Sequence, residues 1–178
     1  MRANRWGVLA AIVIGFGFSS VQAAEVTVKG VHLCCGQCVT GVKKALADVS
    51  GVSDVAGNQG EKTVTFKAAD GNAAEAGIKA LAKAGFHGTA TADGKDIKFP
   101  ESGAEKGKKA DSITVTDLHL CCGACVTGVK KALDGLPGVT GNEVDQKGKS
   151  VTVTGKDIDV VAFVDALNKA GYHCNVKK

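Results

Sequence analysis

The residues with the widest chemistry are the seven cysteines and four histidines of this 178-residue chain. Six of the cysteines and two of the histidines fall in two short loops. These are His32-Leu33-Cys34-Cys35-Gly36-Gln37-Cys38 and His119-Leu120-Cys121-Cys122-Gly123-Ala124-Cys125. Cys35 with Cys38, and Cys122 with Cys125, are separated by two residues, so at a strand-to-helix turn both sulfurs of a pair can point at one ion. A helix N-terminus favours the thiolate there, because its free N–H groups and positive dipole end face the sulfur. Lys43, Lys44, Lys130 and Lys131 add positive potential one turn or more further along. Thiolate ligands select soft ions such as Cu(I) and Zn(II) over Mg or Ca. The competing chemistry is a structural disulfide in an oxidising compartment, for which a third adjacent cysteine in each loop is awkward.

Those third cysteines, Cys34 and Cys121, read either as further ligands or as small buried hydrophobes. His32 and His119 read as ligands or as surface histidines beside the loops. Two thiolates suit a linear Cu(I) or Hg(II) site, whereas three thiolates with an imidazole would make a tetrahedral set suited to zinc. His87 and His173 sit where a helix hands over to a strand, and Cys174 follows His173 where the first unit has Gly88. Cys174 reads as an inert strand residue or as a fourth thiol of the second loop.

The elements that must position these loops are duplicated. The fifteen residues from His32 to Leu46 return 87 positions later as His119 to Leu133, with only Gln37 replaced, by Ala124. Ala80 to His87 returns as Ala166 to His173. Val26 and Val28 alternate with polar neighbours as a half-buried strand does, and Ile113 and Val115 repeat the pattern. Val39, Val42, Leu46 and Val49 recur at helical spacing, as do Val126, Val129, Leu133 and Leu136, so a helix starts near Cys38 and near Cys125. Short strands are expected near 52–55 and 63–66, and near 139–144 and 150–153. Second helices are expected over about 73–84 and 157–170, stopped by Gly85 and Gly171. The order β-α-β-β-α-β predicts two tandem ferredoxin-like domains of the α+β class.

Ahead of the repeats, Arg2 and Arg5 precede the apolar run Trp6–Phe18, and Val21-Gln22-Ala23 has the small-residue pattern of a cleavage site. Residues 1–23 therefore read as a secretory signal peptide, too short to span a bilayer. Its removal takes the only methionine and tryptophan and lowers the formal charge from +4 to +2. No second long apolar run remains, so a periplasmic or secreted protein without a membrane span is expected. The domains are placed at 24–92 and 112–178. Residues 93–111, with Pro100, Gly103, Gly107 and Lys106, Lys108 and Lys109, read as a mobile linker between them. A tether of that length typically spans roughly 25 Å, so the two loops could meet over one ion. The modest charge and the scarcity of aromatics argue against a nucleic-acid surface.

The loops and the helices behind them resemble the heavy-metal-associated domains of copper chaperones, copper-pumping ATPases and periplasmic mercuric-ion-binding proteins. That family carries Gly-Met-Thr-Cys-x-x-Cys before an amphipathic helix. Cys35 through Leu46 is similar to that pattern, as is Cys122 through Leu133, and so are the Ala-Gly-Phe and Ala-Gly-Tyr signals before the last strands. The resemblance implies that Cys35, Cys38, Cys122 and Cys125 are the primary metal ligands. Leu33 and Leu120 stand at the family's buried Met position, Cys34 and Cys121 at its Thr position, and His32 and His119 where it has Gly. Gly41 and Gly128 lie inside the first helix of each unit, where glycine costs about 1 kcal/mol relative to alanine.

These observations predict an exported metal-binding protein, not an enzyme. It captures a thiophilic ion, Cu(I) first with Hg(II) or Zn(II) as alternatives, and sequesters it or passes it to a transporter or acceptor protein. The oligomeric state is left open. The alternatives are a periplasmic thiol–disulfide oxidoreductase and a metal-dependent interaction module. Against the oxidoreductase, no aromatic residue precedes the Cys-x-x-Cys pairs, and Pro100 and Pro137 are not placed for a thioredoxin-like site.

Overall fold

The computed structural model describes residues 23–177, so the residues read as a signal peptide lie almost wholly outside the described part. The first unit contains β1 (Ala24–Lys29), α1 (Gly36–Ala47), β2 (Val52–Asn58), β3 (Thr63–Ala68), α2 (Gly71–Lys83) and β4 (Thr89–Ala92). After β5 (Lys95–Ile97), the second repeats the order with β6 (Lys109–Thr116), α3 (Gly123–Leu133), β7 (Val139–Asp145), β8 (Ser150–Asp159), α4 (Val160–Lys169) and β9 (Asn175–Val176). The sheets run β2-β3-β1-β4-β5 and β7-β8-β6-β9, and the strand pairs are antiparallel. Each unit is a ferredoxin-like α+β domain.

Alternation along the strands makes each core. In β1 Val26 and Val28 point inward, opposite Phe66 and Val64 of β3, while Thr27 faces Thr65 on the other side of the sheet. Val42 and Leu46 of α1 and Ile78 and Leu81 of α2 close over them. The second core repeats this with Val115, Val151 and Val153 beneath Val129, Leu133, Phe163 and Leu167. The second helices begin on aspartate caps: Asp70 accepts from the Ala73 N–H at 2.8 Å and Asp159 from the Ala162 N–H at 3.0 Å. Such a cap satisfies one of the free N–H groups of the first turn.

Two expectations change. The helix expected from residue 157 starts at Val160, because Ile158 and Asp159 remain in β8, paired with Ala110 and Lys109. The segment 93–111, read from its composition as a mobile linker, carries β5, which pairs with β4, and the first residues of β6. Between them Phe99 lies against His87 with ring centroids 4.6 Å apart, Ser102 is buried, and the Ser102 carbonyl accepts the Val176 N–H at 2.8 Å. Glycine and lysine in that stretch signal turns and solvent contact, which an ordered crossing also uses.

Candidate metal centre

In each domain the first strand runs into the cysteine loop and the first helix runs out of it. Cys35 and Cys122 occupy the N-cap positions of α1 and α3 in extended backbone. Cys38 and Cys125 lie in the first turns and are fully buried, while Cys34 is exposed. Leu33 and Leu120, at the position the family fills with Met, are buried beneath the loops.

The two loops face each other, and the six sulfurs form one cluster. Cys34 lies 3.5 Å from both Cys38 and Cys125, and Cys121 lies 3.5 Å from Cys38 and 3.6 Å from Cys125. Cys35 and Cys122 are 3.9 Å apart and Cys38 and Cys125 4.0 Å apart across the seam. The distances repeat when one loop is exchanged for the other: Cys35–Cys38 is 3.9 Å against 3.8 Å for Cys122–Cys125. A disulfide would bring two sulfurs to about 2.05 Å. These are free thiols.

Six thiols in one place cannot all ionise. The first-turn N–H groups of Cys38 and Gln37 lower the Cys35 thiol to about 7. Cys125 is also held well down, first by its hydrogen bond with Cys38 and further by His32. The cost falls on the neighbours. Cys38 is pushed up by Cys125 and by burial, Cys34 is pushed up to about 12 mainly by burial, and Cys121 is raised by burial. Cys35 and Cys125 are thus the sulfurs favoured as thiolates, beside three thiols that hold their protons more tightly. A thiophilic ion that displaces the remaining protons relieves that crowding.

All four histidines lie at the seam between the domains. His32 and His87 donate their backbone N–H groups to the Gly171 carbonyl, at 3.3 and 3.0 Å. His119 and His173 donate theirs to the Gly85 carbonyl, at 3.4 and 3.1 Å. Phe86 and Tyr172 pair as an antiparallel bridge between these glycines. The side chains then cross over. The His32 ring stacks on Tyr172 and lies over Gly128, while the His119 ring stacks on Phe86 and lies over Gly41. Gly85 and Gly171, which end the second helices, have positive φ and sit where a Cβ would strike the partner domain's backbone. Their Gly-aromatic signals therefore mark the docking seam as well as the helix end.

Of the sequence-predicted residues, Cys34, Cys35, Cys38, Cys121, Cys122 and Cys125 come together. His32 joins them, its ring within 4.8 Å of Cys34, Cys38 and Cys125. The Tyr172 hydroxyl donates to the Cys125 carbonyl at 2.9 Å, so it accepts from His32 Nε2–H, also at 2.9 Å. His119 is not in a close donor group among the described residues, and its Nε2 is buried without a partner. His87 and His173 stack on each other, 5.8 Å apart, away from the thiols. Cys174 is fully buried outside the cluster, and burial pushes its thiol up to about 12. Sequence reasoning did not single out Tyr172 and Phe86 as site residues. Their signal was present, since both units place glycine inside a helix and histidine in the loop.

A profile of the heavy-metal-associated domain matches residues 25–87 and 114–173, more than half of the chain. The chain belongs to the heavy-metal-associated domain family. Among solved structures, the N-terminal domain of PacS from Synechocystis PCC6803 is 28% identical to it, over 39% of this chain and 100% of that one, with a TM-score of 0.35. Oxidized MerP from Ralstonia metallidurans CH34 is 29% identical over 38% of this chain and 96% of its own, TM-score 0.35. The N-terminal soluble domains of Bacillus subtilis CopA are 22% identical and cover 88% of this chain and 95% of theirs, TM-score 0.34. No curated protein matches the chain. This pair of heavy-metal-associated domains thus carries a cysteine cluster of the kind suited to binding or transferring a heavy metal.

Proposed function

We propose that this is an exported protein that captures a thiophilic ion, Cu(I) above Hg(II) or Zn(II), in a thiol cluster shared by its two domains. It holds the ion or hands it to a transporter or acceptor protein. The observation that carries this reading is the convergence of both cysteine loops on one site, with Cys34 exposed at its edge. An exposed thiol gives an incoming or departing ion a first ligand to exchange with. Arg2, Arg5 and the apolar run Trp6–Phe18 support export. No described helix is long and apolar enough to cross a membrane.

Anaerobic titration of the reduced chain with Cu(I), Hg(II) and Zn(II) against competing chelators tests the reading. Tight binding is expected for the soft ions, and Cys38→Ser with Cys125→Ser should weaken it sharply. Failure of the reduced protein to bind any of the three ions would sink the proposal. Turnover in an insulin-reduction assay would favour the oxidoreductase alternative instead.

A further inference from the structure

The six sulfurs do more than surround one ion. Among the trios of sulfurs that lie within 4.8 Å of one another, four together use every cysteine of the cluster twice: Cys34, Cys38 and Cys125; Cys34, Cys35 and Cys122; Cys35, Cys38 and Cys121; and Cys121, Cys122 and Cys125. Each cysteine belongs to two of these groups, and any two groups share one cysteine. That is the connectivity of four alternate faces of an octahedron. Cys34 with Cys121, Cys35 with Cys125, and Cys38 with Cys122 take opposite corners.

We propose that the cluster holds four monovalent soft ions, Cu(I) in particular, one on each of these faces, with all six cysteine sulfurs bridging pairs of ions. The inference rests on the capture reading above and adds its nuclearity and its metal class. Spacing supports it. A metal–thiolate bond of about 2.3 Å places three sulfurs around a trigonal ion roughly 4.0 Å apart. The sulfur pairs described above lie at 3.5–4.0 Å. Coordination number also selects the ion. Zinc takes four ligands in a closed site, and a fourth donor, His32, accompanies only the Cys34–Cys38–Cys125 face. Four monovalent ions need only the three thiolates each face provides.

Charge agrees. Four ions of charge +1 and six thiolates leave a cluster of charge −2, placed at the N-termini of α1 and α3, whose first-turn N–H groups favour negative charge. Filling the site releases one proton from every cysteine still protonated, forms two metal–sulfur bonds at each sulfur and changes no oxidation state. The ion must therefore arrive as Cu(I). The shared sulfurs also make filling cooperative, because each ion bound deprotonates thiols that its neighbouring faces need.

Native mass spectrometry of the reduced full chain, titrated anaerobically with Cu(I) and separately with air-stable Ag(I), decides the matter. The expected result is a dominant species with four ions and little of the one- and three-ion forms. Cys34→Ser and Cys121→Ser each remove a sulfur common to two faces, so capacity should fall from four ions to two. Neither residue belongs to a Cys-x-x-Cys pair, so a chain that binds one ion per pair would keep its full capacity in both variants. Saturation of the unsubstituted chain at one or two ions overturns the four-ion cluster and leaves capture standing, and this count decides even if a variant fails to fold. Absence of all Cu(I) and Ag(I) binding overturns both.

Discussion

At the scale of single residues, the cluster is set by which sulfur can be an anion. Cys35 is the accessible thiolate, because helix N–H groups hold it at about 7 from an ordinary value near 9. Alkylation mapped by mass spectrometry should show Cys35 half-reactive near pH 7, losing reactivity as pH falls below that. Cys174, fully buried with its thiol raised to about 12, should stay unlabelled until the chain unfolds. Labelling of Cys174 at the rate of Cys35 would contradict the structure. A second residue-scale asymmetry separates Tyr172 from Phe86. Tyr172 satisfies both His32 and the Cys125 carbonyl, whereas the buried Nε2 of His119 beside Phe86 has no partner. Tyr172→Phe should therefore lower unfolding free energy by about 1–2 kcal/mol, since it leaves buried polar groups unpaired. Phe86→Tyr offers His119 the missing hydroxyl and should be neutral or stabilising by up to about 1 kcal/mol. Denaturant unfolding of the two variants measures both, and equal losses would show that the hydroxyl's partners do not matter.

At the scale of elements, the glycines inside α1 and α3 set two effects against each other. Helix propensity alone says that Gly41→Ala stabilises by about 1 kcal/mol. The structure gives the opposite sign. A Cβ at Gly41 would lie 2.7 Å from Cε1 of His119 and 3.3 Å from Phe86, and one at Gly128 would lie 2.9 Å from Cε1 of His32 and against the Tyr172 hydroxyl. Both rings are already stacked, so neither can swing away without giving up its aromatic partner. Gly41→Ala is expected to destabilise the chain by about 1–3 kcal/mol, the usual cost of overpacking, and to loosen the domain seam. Faster hydrogen exchange at the His119 and His173 amides, which bond to Gly85, would report that loosening. A simple gain in stability with unchanged exchange would mean the rings yield freely.

These helices also show what a sequence displays and what it hides. The alternation of Val26 and Val28 and the helical spacing of Val42 and Leu46 are local, so strand, helix and core were legible from residues within one turn or one pleat. The start of α4 was misplaced by three residues because Ile158 and Asp159 pair with Ala110 and Lys109, some 48–50 positions away in the chain. The types of the site residues were legible, and so was the turn that holds them. Their union into one cluster was not, because it depends on contacts such as Cys38–Cys121 and on backbone bonds such as His119 to Gly85, which no spacing within one repeat encodes.

At the scale of the whole molecule, two domains form one site only while their seam holds, and the seam is built around histidines. His87, His119 and His173 are all held below the ordinary histidine value by burial, His87 to about 4 with His173 beside it. The sign follows from which state binds protons. Above about pH 6.5 neither the folded nor the unfolded chain protonates His87. Between about 6.5 and 4 the unfolded chain takes up the proton and the folded chain does not, so stability falls as pH falls, and below about 4 the loss is constant. Allowing for solvent at the ring's exposed edge, His87 contributes roughly 2 kcal/mol of that loss. The groups facing it are His173, which opposes its charging, and Phe99, which is neutral, while Asp117 acts on His173 in the opposite sense. Denaturant unfolding at pH 7 and at pH 4.5 should therefore show a smaller acid loss in His87→Gln than in the unsubstituted chain. The difference isolates His87 from the thiols, which titrate in both. Small-angle scattering at the same two pH values reads the seam directly, with expansion expected on acidification as the domains separate before either core melts. An acid loss identical in the two proteins would show that His87 takes its proton without leaving the seam, and the domains would then stay joined around their thiols in acid as well.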